Sequence, residues 1–144
     1  MKRFILVSFI SLACIFAIVL IWGYFVVLDR VEGQYVQSNG TKIHYTIEGK
    51  GEPVVLLHGF AVNAHLNRRL PGIIDELSKE FQVITIGLRH HGFGGNPCDK
   101  GKYGIQMADD VLNILSHLNI EKADLVRYSL GGFTTLKAAK RFPA

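Results

Sequence analysis

Four consecutive apolar residues, Val54-Val55-Leu56-Leu57, leave this chain few ways to fold. A strand with one wet face alternates apolar and polar side chains, whereas a strand apolar on both faces needs cover on both. Such strands belong to parallel sheets with helices packed above and below. Phe81 to Leu88 reads as a second buried strand, and Ala123 to Tyr128 as the third parallel strand. Between them, helical spacing is carried first by Leu70, Ile73, Ile74 and Leu77, with Pro71 near the start. It then recurs in Met107, Val111, Ile114, Leu115 and Leu118. Strand and helix alternate three times, which predicts an α/β fold. The segment ahead of these strands, Tyr35 to Ser38, Asn39-Gly40, then Thr41 to Ile47, predicts a β-hairpin. Asn-Gly supplies the positive φ angles of a two-residue turn, and Ile43, Tyr45 and Ile47 share one face.

Two of these strands end in chemically suggestive turns. The last runs Ala123-Asp124-Leu125-Val126-Arg127-Tyr128 into Ser129-Leu130-Gly131-Gly132, after which a helix continues through Phe133, Leu136 and Ala139. This is close to G-x-S-x-G, a sharp strand-to-helix turn that lifts a serine Oγ clear of the sheet edge. The new helix turns its unpaired N–H groups toward the same spot. The first strand ends at His58-Gly59-Phe60, about 70 residues earlier. Parallel strands open on a common edge, so the N–H groups of Phe60 and Leu130 are predicted to face one point as a two-donor oxyanion hole.

The N-terminus is of another kind. From Phe4 to Leu28 there are 25 residues without a charge, interrupted only by Ser8, Ser11 and Gly23 among apolar types. As a helix this run rises roughly 37 Å, enough to cross a hydrocarbon core of about 30 Å. It is too long for the apolar region of a cleaved signal peptide. Ser11-Leu12-Ala13-Cys14 weakly resembles a lipoprotein cleavage site, but the residues after Cys14 stay apolar. Apolar character on every face argues for lipid over a protein core. Trp22 and Tyr24 suit an interfacial belt. Lys2 and Arg3 place the N-terminus in the cytoplasm and the remainder outside. The expected organisation is a membrane anchor over residues 1–28, a linker over 29–34 and a folded domain over 35–144.

The net charge of +4 comes from 16 Lys and Arg against 12 Asp and Glu, with no basic run to form a nucleic-acid groove. Gly92-x-Gly94-Gly95 opens no helix, as a dinucleotide fingerprint must. Neither a cofactor nor a metal is expected. Cys14 and Cys98, one in the apolar run and one in a loop, do not form a disulfide framework.

Taken in order, the hairpin, Pro53-Val54-Val55-Leu56-Leu57-His58-Gly59-Phe60, Leu88-Arg89-His90-His91-Gly92, Ala108-Asp109-Asp110-Val111 and Tyr128-Ser129-Leu130-Gly131-Gly132 resemble the α/β-hydrolase family from about Val36 to Pro143. The resemblance implies a partial α/β-hydrolase fold, the N-terminal half of an eight-stranded sheet, preceded by one transmembrane helix. It also implies a Ser, acidic residue, His triad in that order. Ser129 is the implied nucleophile, with oxyanion donors on Phe60 and Leu130 and support from His58, Gly59 and Gly131. The triad acid and histidine are expected beyond residue 144, which makes the chain a fragment. The implied activity is a serine hydrolase for ester-type bonds, with a small-molecule or lipid substrate. Serine at the elbow argues against dehalogenase chemistry, which needs aspartate there. The alternative is an inactive, membrane-tethered remnant or binding module.

The histidines have structural readings. His58 braces the oxyanion turn, His91 matches a structural loop histidine of the family, and His44, His65 and His117 are expected to face solvent. Asp109 and Asp110 read as charges at a helix terminus. Four residues depart from the family pattern: Gly87 for an aspartate, His90 for a glycine, Gly94 for a serine and Arg127 for a glycine or alanine. Arg127 is expected to crowd the elbow with a buried charge, so that Arg127→Gly stabilises it.

Overall fold

The structure, a computed structural model, describes residues 2–29, 33–60 and 72–141. Part of the expected linker, His65, and the start of the first helical stretch with Leu70 and Pro71 lie outside the described residues. The chain divides into two units, Met1–Glu32 and Gly33–Ala144.

The first unit is one helix, α1 (Lys2–Asp29). Its 28 residues rise about 42 Å. Val7–Tyr24 has a mean hydropathy of 2.3 and is nowhere buried against protein. Phe9, Leu12, Phe16, Val19 and Trp22 all expose their side chains. By length and composition this helix is able to cross a membrane.

The second unit is a five-stranded mixed sheet in the order β1-β2-β4-β3-β5. The hairpin forms as the sequence predicts: β1 (Gln34–Ser38) and β2 (Thr41–Glu48) meet at Asn39 and Gly40, with φ of 49° and 73°. Ser38 pairs with Thr41, and Val36 with Ile43. β2 then pairs antiparallel with β4 (Gln82–Ile86), so it has a strand on either side. β3 (Pro53–Leu57) runs parallel to both β4 and β5 (Asp124–Arg127).

The uninterrupted apolar run of β3 serves both faces of this sheet. Val55 and Leu57 join Ile43, Tyr45, Ile84 and Ile86 in a core completed by Met107, Val111 and Ile114 of α3 (Ile105–His117). Val54 and Leu56 point the other way, to Val83 and to Ile74 of α2 (Ile73–Leu77). α4 (Leu130–Arg141) follows β5 and packs against β5 and α3. Its inward face is Thr134, Thr135 and Ala138; Phe133, Leu136 and Ala139, which suggested the helix, lie off that buried stripe. Both threonines return a side-chain hydrogen bond to the carbonyl four residues earlier, at 3.2 Å to Leu130 and 2.9 Å to Gly131. Their hydroxyls are thereby satisfied inside the packed face.

Candidate active site

Tyr128 and Ser129 form the turn between β5 and α4, and Ser129 has a φ of 51°. The left-handed region costs a non-glycine residue about 1–2 kcal/mol, so the surrounding contacts must hold it there. They act on both sides. Upstream, the Tyr128 N–H donates to the Leu57 carbonyl at 3.1 Å, extending the β3–β5 ladder by one residue. Downstream, Gly131 N–H donates to Tyr128 O at 3.0 Å and Gly132 N–H to Ser129 O at 2.8 Å. Gly131 lies so close to β3 that a Cβ there would stand 2.7 Å from the Leu57 carbonyl oxygen. A glycine at this position lets the helix begin against the strand. The serine itself is exposed. Leu130 opens α4, where N–H groups have no acceptor within the helix and the macrodipole is positive.

The parallel register sets Leu57 beside Arg127, and so places residues 58–60 beside 128–130. The contact is close. A Cβ on Gly59 would stand 2.9 Å from Tyr128 Cδ1 and 3.4 Å from Ser129 Cβ. His58 is fully buried. Its Nε2 accepts from the Leu88 N–H at 3.1 Å, which assigns the ring proton to Nδ1, 2.8 Å from the Gly59 carbonyl oxygen. With both nitrogens engaged, His58 orients the Gly59 carbonyl and ties the ends of β3 and β4 together. Ser129, Leu130 and Gly131 thus lie beside the His58-Gly59-Phe60 turn at one edge of the sheet.

Beyond β4 the chain is anchored by a pair that no stretch of the sequence announces. Arg89 and Asp110 are both fully buried. Nε donates to Oδ2 at 2.7 Å and Nη2 to Oδ1 at 2.6 Å, a two-pronged match of guanidinium and carboxylate. Nη1 adds the Lys102 carbonyl at 2.5 Å and Gln106 Oε1 at 3.1 Å. Asp110 is therefore not a helix-terminus charge. It sits inside α3 on the stripe of Met107, Val111 and Ile114, and that spacing is the available signal: a carboxylate on an apolar stripe requires a partner.

Two further expectations are corrected. His44 is buried, not solvent-facing. Its ring is covered by Tyr35 of β1, 5.1 Å away, and by Phe93 of the loop after β4, 5.2 Å away. Burial lowers its pKa below the usual 6.5. Arg127 is exposed, not a buried charge. β5 ends the described sheet, and the Arg127 side chain runs out over Gly132, with Cδ 3.7 Å from where a Cβ would stand.

His90 has a φ of 67°, the conformation for which the family's glycine is suited, and its Nδ1 lies 3.1 Å from the Tyr103 hydroxyl. At Gly87 and Gly94 a Cβ would meet nothing nearer than 3.5 Å, so space alone does not demand glycine at either. His117 is exposed as expected, edge-on to Tyr45. Among the described residues, none of the histidines is placed as a base for Ser129. His58 is bonded to Leu88 and Gly59, and His90 to Tyr103. His91 Nδ1 lies 3.1 Å from the Arg89 carbonyl oxygen, and His44 is enclosed by rings. No cluster of three or more metal-ligating side chains occurs among the described residues.

A strand-to-helix serine turn beside a His-Gly turn, on a sheet with helices on both faces, invites comparison with known proteins. Residues 52–144 match the family model described as alpha/beta hydrolase fold. The soluble epoxide hydrolase of Corynebacterium sp. (strain C12) is 35% identical over 65% of this chain and 32% of its own length. The 2-hydroxymuconate semialdehyde hydrolase of Pseudomonas sp. (strain CF600) is 32% identical over 77% of this chain and 39% of its own. Among solved structures, Est816, described as an N-acyl homoserine lactone degrading enzyme, superposes with a TM-score of 0.70 at 31% identity, covering 76% of this chain and 41% of that one. The chain spans between 32% and 39% of the length of these two curated relatives. With hairpin, parallel strands, elbow and a family match over residues 52–144 in agreement, the chain belongs to the alpha/beta hydrolase fold family.

Proposed function

We propose that this chain is the nucleophile-bearing part of a membrane-anchored serine hydrolase acting on ester-type bonds. The observation that carries the reading is Ser129, exposed and held at a φ of 51° with its Cβ 3.4 Å from the Cβ position of Gly59. Ser129 Oγ attacks the carbonyl carbon of the substrate and gives up its proton to a base. The negative charge on the carbonyl oxygen is received by the N–H groups of Phe60 and Leu130. Where such donors have been removed, each was worth about 3 kcal/mol of barrier. Collapse expels the alcohol or thiol and leaves an acyl group on Ser129, which water then removes. The base and its acid come from sequence following residue 144. In support, the chain covers 32% and 39% of two relatives, and its described histidines are committed elsewhere.

The substrate class is a carboxylic ester, lipid ester or thioester, and the chemistry needs no metal, cofactor or nucleic acid. The lactone named for Est816 is itself a cyclic ester, which favours this class. Residues 4–28 form the anchor, with the N-terminus cytoplasmic and the hydrolase unit periplasmic or extracellular. The mean hydropathy of 2.3 over Val7–Tyr24 and the position of Lys2 and Arg3 support this.

Fluorophosphonate labelling in membranes tests the reading, with Ser129→Ala as control. The chain is compared with a version extended by the sequence encoded downstream. Labelling that depends on Ser129 and rises at least 1,000-fold on extension is expected, since loss of a triad member costs about that much or more. Labelling that survives Ser129→Ala refutes the assignment. No labelling in either version favours the second reading, a non-catalytic remnant or binding module, for which the absence of a histidine bonded to Ser129 among the described residues is the supporting observation.

A further inference from the structure

We infer that His91 is a positioning residue that holds the His58-Gly59-Phe60 turn in register with Ser129. Phe60 carries a donor of the proposed oxyanion hole, yet its own side chain is 73% exposed and gives the turn little packing. Among the described residues the ring it meets is His91, edge-on at 5.7 Å and 74° between planes. The same imidazole lies 5.2 Å from the His58 ring, on the other side of Gly59 in sequence. His91 therefore touches the residues on either side of the Gly59 hinge.

What fixes His91 is the buried ion pair. Its Nδ1 lies 3.1 Å from the Arg89 carbonyl oxygen, and the Arg89 side chain is locked by Asp110, Gln106 and the Lys102 carbonyl. A rigid path thus runs from α3 through Arg89 and His91 to the peptide that presents the Phe60 N–H. Aromatic pairs of this geometry hold ring orientation beyond what their area burial gives. An oxyanion donor displaced by even about 1 Å loses most of its value.

The role in catalysis rests on the proposed oxyanion function of Phe60, so the test separates position from reactivity. Position is read from the Phe60 amide signal of the full isotope-labelled chain in detergent micelles. Reactivity is read from the fluorophosphonate rate of the extended protein. His91→Ala is expected to split or broaden the Phe60 amide signal while Ile84 and Ile86 in β4 keep theirs, and to slow labelling about tenfold or more. His91→Phe retains the ring but loses the bond to Arg89, and is expected to restore the signal and the rate only in part. An unchanged Phe60 signal in His91→Ala overturns the inference whatever the labelling does. Restoration by His91→Asn but not by His91→Phe also overturns it, because the loop hydrogen bond and not the ring would then matter. A split signal with wild-type labelling keeps the positioning role and removes Phe60 from the oxyanion hole.

Discussion

Gly131 and Gly132 are neighbours in the first turn of α4, and the structure gives them opposite fates on substitution by alanine. At Gly131 the added methyl would stand 2.7 Å from the Leu57 carbonyl oxygen, 2.8 Å from Leu57 Cβ and 3.0 Å from the Leu57 carbonyl carbon. Two of those three atoms are backbone of a strand hydrogen-bonded on both sides, and cannot swing away. Overpacking of this kind costs about 1–3 kcal/mol, and the immobility of β3 argues for the upper part of that range. Alanine regains up to about 1 kcal/mol over glycine in a helix, less in a first turn. The net expectation for Gly131→Ala is a loss of about 1–2 kcal/mol. At Gly132 the nearest atoms are Cδ, Nε and Cγ of Arg127, at 3.7 to 4.0 Å, so the methyl makes ordinary contact with a mobile side chain. Gly132→Ala is therefore expected to gain about 0.5–1 kcal/mol from helix propensity alone. The assay is urea unfolding in detergent micelles, followed by hydrogen-exchange mass spectrometry of peptides from residues 33–141. This excludes the contribution of α1. With a urea slope of about 2 kcal/mol per molar, the midpoint of Gly131→Ala falls by roughly 0.5–1 M and that of Gly132→Ala rises by roughly 0.3–0.5 M. Midpoints that move together, or a Gly131→Ala protein as stable as the parent, refute the claim that α4 starts against β3.

Three other outcomes are expected in the same assay. Asp110→Ala leaves the buried Arg89 guanidinium without its carboxylate and lowers stability by about 3–5 kcal/mol; a loss under about 1 kcal/mol contradicts the observed pair. Arg127→Ala, at an exposed site with no observed ion pair among the described residues, changes stability by no more than about 0.5 kcal/mol, and stabilisation beyond about 1 kcal/mol restores the buried-charge reading. The His44 imidazole is held below its ordinary pKa of 6.5 by burial, so the folded state binds fewer protons than the unfolded one in acid. Its contribution is complete above pH 6.5 and is lost as the pH falls from there through the lowered folded value. Stability measured between about pH 8 and 4.5 should fall less steeply in His44→Phe, and equal slopes for the two proteins contradict the burial.

What the sequence makes legible, and what it hides, follow from the range of the interactions involved. Asn39-Gly40 announces its turn because the two residues themselves supply the needed backbone angles, and Val54 to Leu57 announce two covered faces because each residue must be dry. Ser129 is visible for the same reason: strand, serine, glycines and helix are contiguous in sequence. His44 misleads because its burial depends on what lies beside β2. Nothing within the hairpin says that the loop after β4 will bring Phe93 over this face, where it and Tyr35 cover the ring. Arg127 misleads in the opposite sense, through the assumption of cover over a strand that ends the described sheet.

The Arg89–Asp110 pair lies between these cases, and it bears most directly on the site. Asp110 is legible in principle, since Met107, Asp110, Val111 and Ile114 fall on one helical stripe and a carboxylate cannot be buried there alone. Its partner is not, because no local pattern distinguishes Arg89 from the other cations of a loop. The geometry resolves the matter: one guanidinium meets the carboxylate with two bonds and uses its third nitrogen on Lys102 O and Gln106. Desolvating both ions makes such a pair a poor source of net stability, and apolar side chains of similar volume would serve the core as well. Its consequence is instead positional. It fixes the loop after β4 relative to α3, and through the Arg89 carbonyl and the Leu88 N–H that loop holds His91 and His58 against the turn beside Ser129. Replacing both Arg89 and Asp110 by well-packed apolar residues should therefore leave the urea midpoint close to the parent's. The same double variant should disturb the Phe60 amide as His91→Ala does. A double variant with an undisturbed Phe60 signal would reduce the pair to a packing accident.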